Sequence, residues 1–141
     1  LHITTKLSEV NEQRIKASKQ NGTWLDWPVE LLLNCHKKES GSSYKSVYGR
    51  MAWDEPSPTI TTQFYNYGTG RFGHPEQNRA LTIREAAILQ SFPQNYKFYR
   101  KKDDIFITKM GTHIGNAVPV RLGEVIGVSI IKHLEKHGRK V

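Results

Sequence analysis

One cysteine in 141 residues, Cys35, leaves no partner for an internal disulfide and too few thiolates for a multi-cysteine zinc site. That fits a reducing, cytoplasmic setting. Carboxylates are also scarce: 13 Asp and Glu face 21 Lys and Arg, a formal charge of +8. A surplus of that sign suits a polyanionic partner, because each phosphate neutralised releases condensed counterions. No apolar stretch approaches the roughly 20 residues that span a bilayer, and no signal-peptide pattern opens the chain, so no membrane partner is expected. There is no internal repeat and no long low-complexity tract. An initiator Met is missing as well, and the start on Leu1 favours a piece of something longer.

What is present is enough for one modest core: 37% hydrophobic residues, with three Trp, six Tyr and five Phe. Ser8 is placed to cap a helix reaching about Lys19. Asn21-Gly22 marks a turn, and Pro28 suits the first turn of a short helix or an extended lead-in. Residues 36–50 are polar, basic and Gly/Ser-rich, and read as a surface loop entering a strand near 46–52. The stretch "EPSPTITTQFYNYGTGRFG" predicts strand, loop and strand.

Later elements are clearer. In "LTIREAAILQSFP", Thr82 and Glu85 have capping-box spacing, predicting a helix near 82–91 that Pro93 ends. A basic, aromatic link, "NYKFYRKKDDIFITK", follows. Then Gly115-Asn116-Ala117 reads as a polar turn, with Pro119 at the first position of a last helix. Val118, Leu122, Val125, Ile126, Ile130 and Leu134 recur at helical spacing until Gly138.

Two short patterns carry little. Gly68, Gly70 and Gly73 spell G-x-G-x-x-G, but His74-Pro75 follows where the dinucleotide fingerprint must open a helix. A hairpin turn, or a loop that lets backbone approach a ligand closely, suits them better. Cys35, beside His36, Lys37 and Lys38, has a setting that can stabilise a thiolate, yet reads as an ordinary, partly buried thiol after a helix.

Taken together and in order, "SPTITT", "GRFGHPEQNRALTIREAAILQSFP" and "HIGNAVPVRLGEVIG" resemble the C-terminal part of DNA (cytosine-5)-methyltransferases. "RALTIREAAILQSFP" is similar to the family's penultimate motif and "IGNAVPVRLGEVI" to its last. The likeness spans about residues 49–131, while residues 1–48 match less distinctively. It implies an α+β fold. Residues 1–110 would form a small, partly β target-recognition unit. Residues 111–141 would form a turn and a C-terminal helix that packs on a Rossmann-like methyltransferase domain carried elsewhere.

The resemblance implies S-adenosylmethionine as cofactor and double-stranded DNA as partner. Asn116, Ala117 and Val118 would close the cofactor pocket, with the Asn116 amide and helix-start N–H groups aimed at a carboxylate. The family's nucleophile is the cysteine of a Pro-Cys motif that attacks a flipped base, assisted by the Glu of a Glu-Asn-Val motif. Neither motif occurs here, and Asn34 precedes Cys35, so this chain carries no catalytic residue of its own and is expected to be inactive alone. It would be a fragment or the smaller subunit of a split enzyme. The last helix, lacking its packing partner, would drive self-association or partner binding.

Recognition would fall to "YKSVYGR" and "TTQFYNYGTG". Arg50 suits a bidentate contact to guanine or, equally, a salt bridge. Thr61 and Thr62 suit phosphates. Tyr65 and Tyr67 suit sugars or bases, strand packing being the alternative, and Gly68 lies in the same loop. Lys37, Lys38 and Lys45 would neutralise backbone phosphates, and Arg79, flanking the capping box, is a further DNA-binding candidate. Arg84, inside the helix, suits an ion pair as well as DNA. A rival from another class is a non-enzymatic basic DNA-binding module. A third is a nucleotide-binding protein using residues 68–73.

Overall fold

A computed structural model of the chain describes residues 1–100 and 105–138. Residues 101–104 of the basic link, and 139–141 at the end of the expected C-terminal unit, lie outside the described residues. The described helices are α1 (Glu9–Ala17), α2 (Ile83–Leu89), α3 (Ile107–Asn116) and α4 (Val120–Lys136). Short 3-10 turns lie at Trp24–Asp26, Val29–Leu31, Glu39–Ser43 and Tyr67–Thr69.

The caps follow the chain's local chemistry. Ser8 accepts the Asn11 amide at 3.4 Å, and Glu9 and Glu12 face the positive end of the α1 dipole. At α2 both capping-box bonds form: the Glu85 N–H donates to Thr82 Oγ1 at 3.2 Å, and the Thr82 N–H donates to Glu85 Oε2 at 2.8 Å. The N-terminal segment completes this end, because the carbonyls of Leu1 and Ile3 accept the Arg84 and Ile83 amides.

The strands expected near 46–52 and within 55–73 do not form. Among the described residues the backbone pairs only as isolated bridges, Arg50 with Gly73 and Gly73 with Ala80. Tyr48 at φ 53 breaks the extended path before a ladder can lengthen, and Pro56 and Pro58 remove two donors further on. What remains is three backbone bonds tying residues 49–51 to 70–73.

Two apolar clusters form the interior. Ile15, Trp24, Trp27, Tyr67 and Ala80 make the smaller one. The larger gathers Ile60, Phe64, Phe72, Leu81, Ile83 and Met110 with Ile114, so α2 and α3 pack on the 60–72 segment. Full burial of a side chain such as Ile83 or Ile114 contributes about 1.5–3 kcal/mol. Gly111 and Gly115 lie on the α3 face that meets the 61–65 backbone.

α4 stands apart. Its 17 residues would extend roughly 26 Å, and none is buried. Leu122, Val125, Ile126 and Ile130 are each about half exposed. The expectation that no stretch could span a bilayer needs correction on length and composition, since residues 107–136 reach a mean hydropathy of 1.4 over an 18-residue window. The backbone nevertheless breaks at Ala117–Pro119 between α3 and α4, and Arg121 and Glu124 sit inside α4. Those charges and that break suit a packing helix better than a span.

Candidate nucleic-acid interface

Arg50 occupies the centre of the recognition region, but not as a reading side chain. It is 5% exposed, and its guanidinium donates to six acceptors. Nη2 reaches the Ile15 carbonyl at 2.7 Å and Asn78 Oδ1 at 2.8 Å. Nη1 reaches the His74 carbonyl at 2.8 Å and the Gln77 carbonyl at 3.1 Å, while Nε reaches the Ser18 carbonyl at 3.2 Å. The cation ties the negative end of α1 to the 74–78 loop. The expected guanine contact and the expected salt bridge are both corrected, because every acceptor is neutral and the donors are spent.

Tyr65 and Tyr67 are corrected in the same way. Tyr67 is 1% exposed and its hydroxyl shares a 3.0 Å bond with Ser18 Oγ; burial pushes its phenol pKa up, and the Ser18 bond only partly opposes this. Tyr65 is buried against Gly111, and its carbonyl accepts from the Thr4 and Thr5 hydroxyls. The alternative of strand packing does not hold either, since no strand forms there; both rings are buried among loops and helices. Gly68 lies close against the Tyr48 ring, and its amide donates to Asn66 Oδ1. With the Gly73 amide on the Gly49 carbonyl and no helix opening between Gly73 and Ile83, residues 68–73 do not have the loop-to-helix geometry that cradles a pyrophosphate.

The lysines are better placed. Lys37, Lys38 and Lys45 are exposed on a loop with an aromatic footing. His36 stacks on Trp24 at 4.2 Å between centroids and meets Trp27 and Tyr48 edges, while Trp24 Nε1 donates to the Tyr44 carbonyl at 2.8 Å. Fixing that carbonyl leaves the Tyr44 ring 70% exposed between Ser43 and Lys45. Tyr44 opens the expected recognition stretch "YKSVYGR" but is not singled out there; with Ser42 and Ser46 at the alternating positions it has no apolar neighbours to pack with. Thr61 is exposed and Thr62 half-buried. Cys35 is exposed rather than partly buried.

Arg79 is engaged by a carboxylate. Nη1 and Nη2 reach Glu85 Oε2 and Oε1, both at 2.7 Å, a bidentate pair that competes with any phosphate. Arg84 makes no ion pair among the described residues: Nη2 donates to the Tyr96 carbonyl and the guanidinium lies 5.5 Å from the Phe98 ring.

This cluster sets a pH response. Burial alone would raise the Glu85 carboxyl, but the Arg79 and Thr82 hydrogen bonds outweigh it and hold the pKa at about 2, from an ordinary 4.5. His74 is held low, first by burial and then by Arg79, and its Nδ1 accepts the Glu76 and Gln77 amides, which protonation would break. Burial and then Arg14 hold His36 low too. An unfolded histidine binds protons from 6.5 downward while these folded ones resist, so stability is full above that pH and falls below it. Glu85 adds a second loss as pH drops from 4.5 toward 2. Urea midpoints should therefore decline steadily from pH 7.5 to pH 4. A midpoint that stays level or rises over that range contradicts this account.

The segment expected to hold the cofactor is built differently from a helix-start turn. Asn116 is the last residue of α3, exposed at an end where carbonyls point outward, and Ala117 caps it. Gln90 Nε2 donates to the Ile114 and Ala117 carbonyls at 3.1 and 3.3 Å. The Val120 N–H donates to the Gln90 carbonyl, and the Arg121 N–H to Ser91 Oγ at 2.9 Å. Those α4 amides are thus occupied, and helix-start binding of a carboxylate does not fit. What fits is a wall: the Asn116 amide and the Val118 side chain, 64% exposed, face outward.

A family model, C-5 cytosine-specific DNA methylase, matches residues 2–132. The chain is 56% identical over 135 residues to Type II methylase M.HgiDII of Herpetosiphon aurantiacus, covering 96% of this chain and 38% of that protein. It is 35% identical over 114 residues to mouse DNA (cytosine-5)-methyltransferase 1, covering 80% of this chain and 6% of the relative. Against Type II methyltransferase M.AquIB of a Picosynechococcus species it is 35% identical over 103 residues, 68% of this chain and 70% of the relative.

Proposed function

Starting from a chain that belongs to the C-5 cytosine-specific DNA methylase family, we propose that it supplies DNA recognition, and one wall of the cofactor pocket, to a DNA (cytosine-5)-methyltransferase. The catalytic centre then lies on a Rossmann-like region in the same or a companion polypeptide. The carrying observation is α4: an amphipathic helix with no buried residue beside two filled clusters. An apolar face that long suits a partner domain. M.AquIB, most of whose length is matched, supports a chain of this size working as a separate polypeptide. The bridges at Arg50, Gly73 and Ala80 are the rudiment of the β part, and α+β is the class we assign.

Duplex DNA would meet Lys37, Lys38, Lys45, Thr61 and the Tyr44 ring, with Gly68 behind them. S-adenosylmethionine, bound mainly by the catalytic region, supplies the methyl group. Asn116 and Val118 would line the outer side of its pocket, with Ala117 holding the α3–α4 joint. Mixing tests the whole reading. Methyl incorporation into duplex cytosine should be absent with this chain alone and appear with a polypeptide carrying the Pro-Cys and glycine-rich cofactor motifs. Substituting Ile126→Asp together with Ile130→Asp should remove it again. Failure of every such mixture to methylate would favour a non-enzymatic DNA-binding module.

A further inference from the structure

The link at 92–100 and the α3 helix form a surface that the proposed recognition residues do not use. Two open clefts, of about 730 and 380 Å³, share Lys97, Phe98 and His113 and so form one continuous groove. Its cations are Lys97, Arg100 and Lys109, all exposed, with the His113 ring beside them, and no described Asp or Glu lines it. Rings alternate with these charges. Phe106 is 59% exposed and Tyr96 46%, with Phe98 between the clefts. The Phe98 ring is fixed from below: Phe92 and Tyr96 lie 5.2 and 4.7 Å away, and Arg84 lies 5.5 Å from it. Arg84 Nη1 is buried there without a hydrogen-bond partner among the described residues.

We infer that this groove binds a short stretch of unpaired nucleic acid, its phosphates on the lysines and Arg100 and its bases against Phe106 and Phe98. Cations alone would suit any polyanion, and rings alone any apolar ligand. Interleaved in an elongated groove, they match a strand whose backbone and base faces are both available. In duplex DNA the base faces are stacked and closed to such rings. Pocket length matters too, because two joined clefts suit several nucleotides better than one. The inference stands whether or not the methyltransferase reading holds.

Fluorescence anisotropy with the intact chain tests it. The probes are a labelled eight-nucleotide thymidine oligomer and an abasic deoxyribose-phosphate oligomer of equal length. Thymidine should bind at least fivefold more tightly than the abasic strand, the size of one base–ring stack. Phe106→Ala should remove most of that difference. Lys97→Ala and Lys109→Ala should each weaken both probes and flatten the slope of log K against log salt by about 0.7. These side chains are exposed, and an unchanged urea midpoint for each variant checks that the fold is kept. A chain with Lys37, Lys38 and Lys45 all changed to Ala should keep the thymidine-over-abasic difference, even where the overall affinity falls with the lost charge, which separates this groove from the duplex surface. Equal binding of both probes, displacement by polyglutamate as readily as by unlabelled oligomer, or loss of that difference in the triple-lysine variant overturns the inference.

Discussion

Arg50→Ala is expected to destabilise the chain severely, and not to relax reading at one base pair. The substitution strips donors from five carbonyls and the Asn78 amide oxygen in a site that is 5% exposed. Each buried acceptor left unsatisfied costs about 1–3 kcal/mol, and water entering the vacated space recovers part of that. A net loss on the order of 3–5 kcal/mol follows, against a stability of roughly 5–15 kcal/mol for a typical domain. Arg50→Lys should fail as well. One ammonium cannot reach both the α1 end at Ile15 and the loop carbonyls at His74 and Gln77, which the planar fork spans. Urea denaturation of both variants provides the measurement. An Arg50→Ala chain with an unchanged midpoint and selective loss at one base pair would restore the guanine contact and sink the clamp.

Arg50 also marks where sequence reading stopped. Its neighbours identify a recognition loop, and arginine there suggests a base contact. Nothing local shows that Ile15 and Ser18, more than thirty residues earlier, supply its acceptors. The capping box was legible because Thr82 and Glu85 satisfy each other within one turn. So were Ser8 at the head of α1 and Gly138, at φ 72, beyond the end of α4. The strands were not, because β propensity describes a residue's fit to a pleated surface, and Tyr48 together with the prolines kept that surface from forming. Tyr65 and Tyr67 illustrate the same limit. Both look like contact residues in a polar loop, yet long-range partners at Gly111 and Ser18 bury them. Residues 36–45 do run as a surface loop, and Lys37, Lys38 and Lys45 are exposed on it because a lysine needs no distant partner to stay in water.

The glycines of α3 and α4 should answer the same substitution with opposite signs. An added Cβ at Gly115 would lie 2.5 Å from Thr61 C and O and from Thr62 N, all backbone atoms that cannot rotate aside. Gly111 is backed by the Tyr65 ring and, at 2.9 Å, by the Thr62 carbonyl. Gly111 and Gly115 therefore serve close approach of a helix to the 61–65 segment, a different task from the polar turn that the Gly115-Asn116 composition suggests. Gly115→Ala gains about 1 kcal/mol of helix propensity and loses about 1–3 or more to overpacking, for a net loss of roughly 2 kcal/mol. Gly115→Val should be worse. At Gly123 and Gly127 a Cβ meets nothing within 4 Å, so alanine there should stabilise α4 by about 0.5–1 kcal/mol at each position. Urea midpoints would then move down for the first helix and up for the second. If α4 docks on a catalytic region through these two glycines, the stabilised Gly123→Ala, Gly127→Ala chain should methylate less on mixing, because the added methyls hold the helices apart. A Gly115→Ala chain as stable as the original would instead mean that α3 is free to shift, and the packing that positions Asn116 and Val118 would lose its basis.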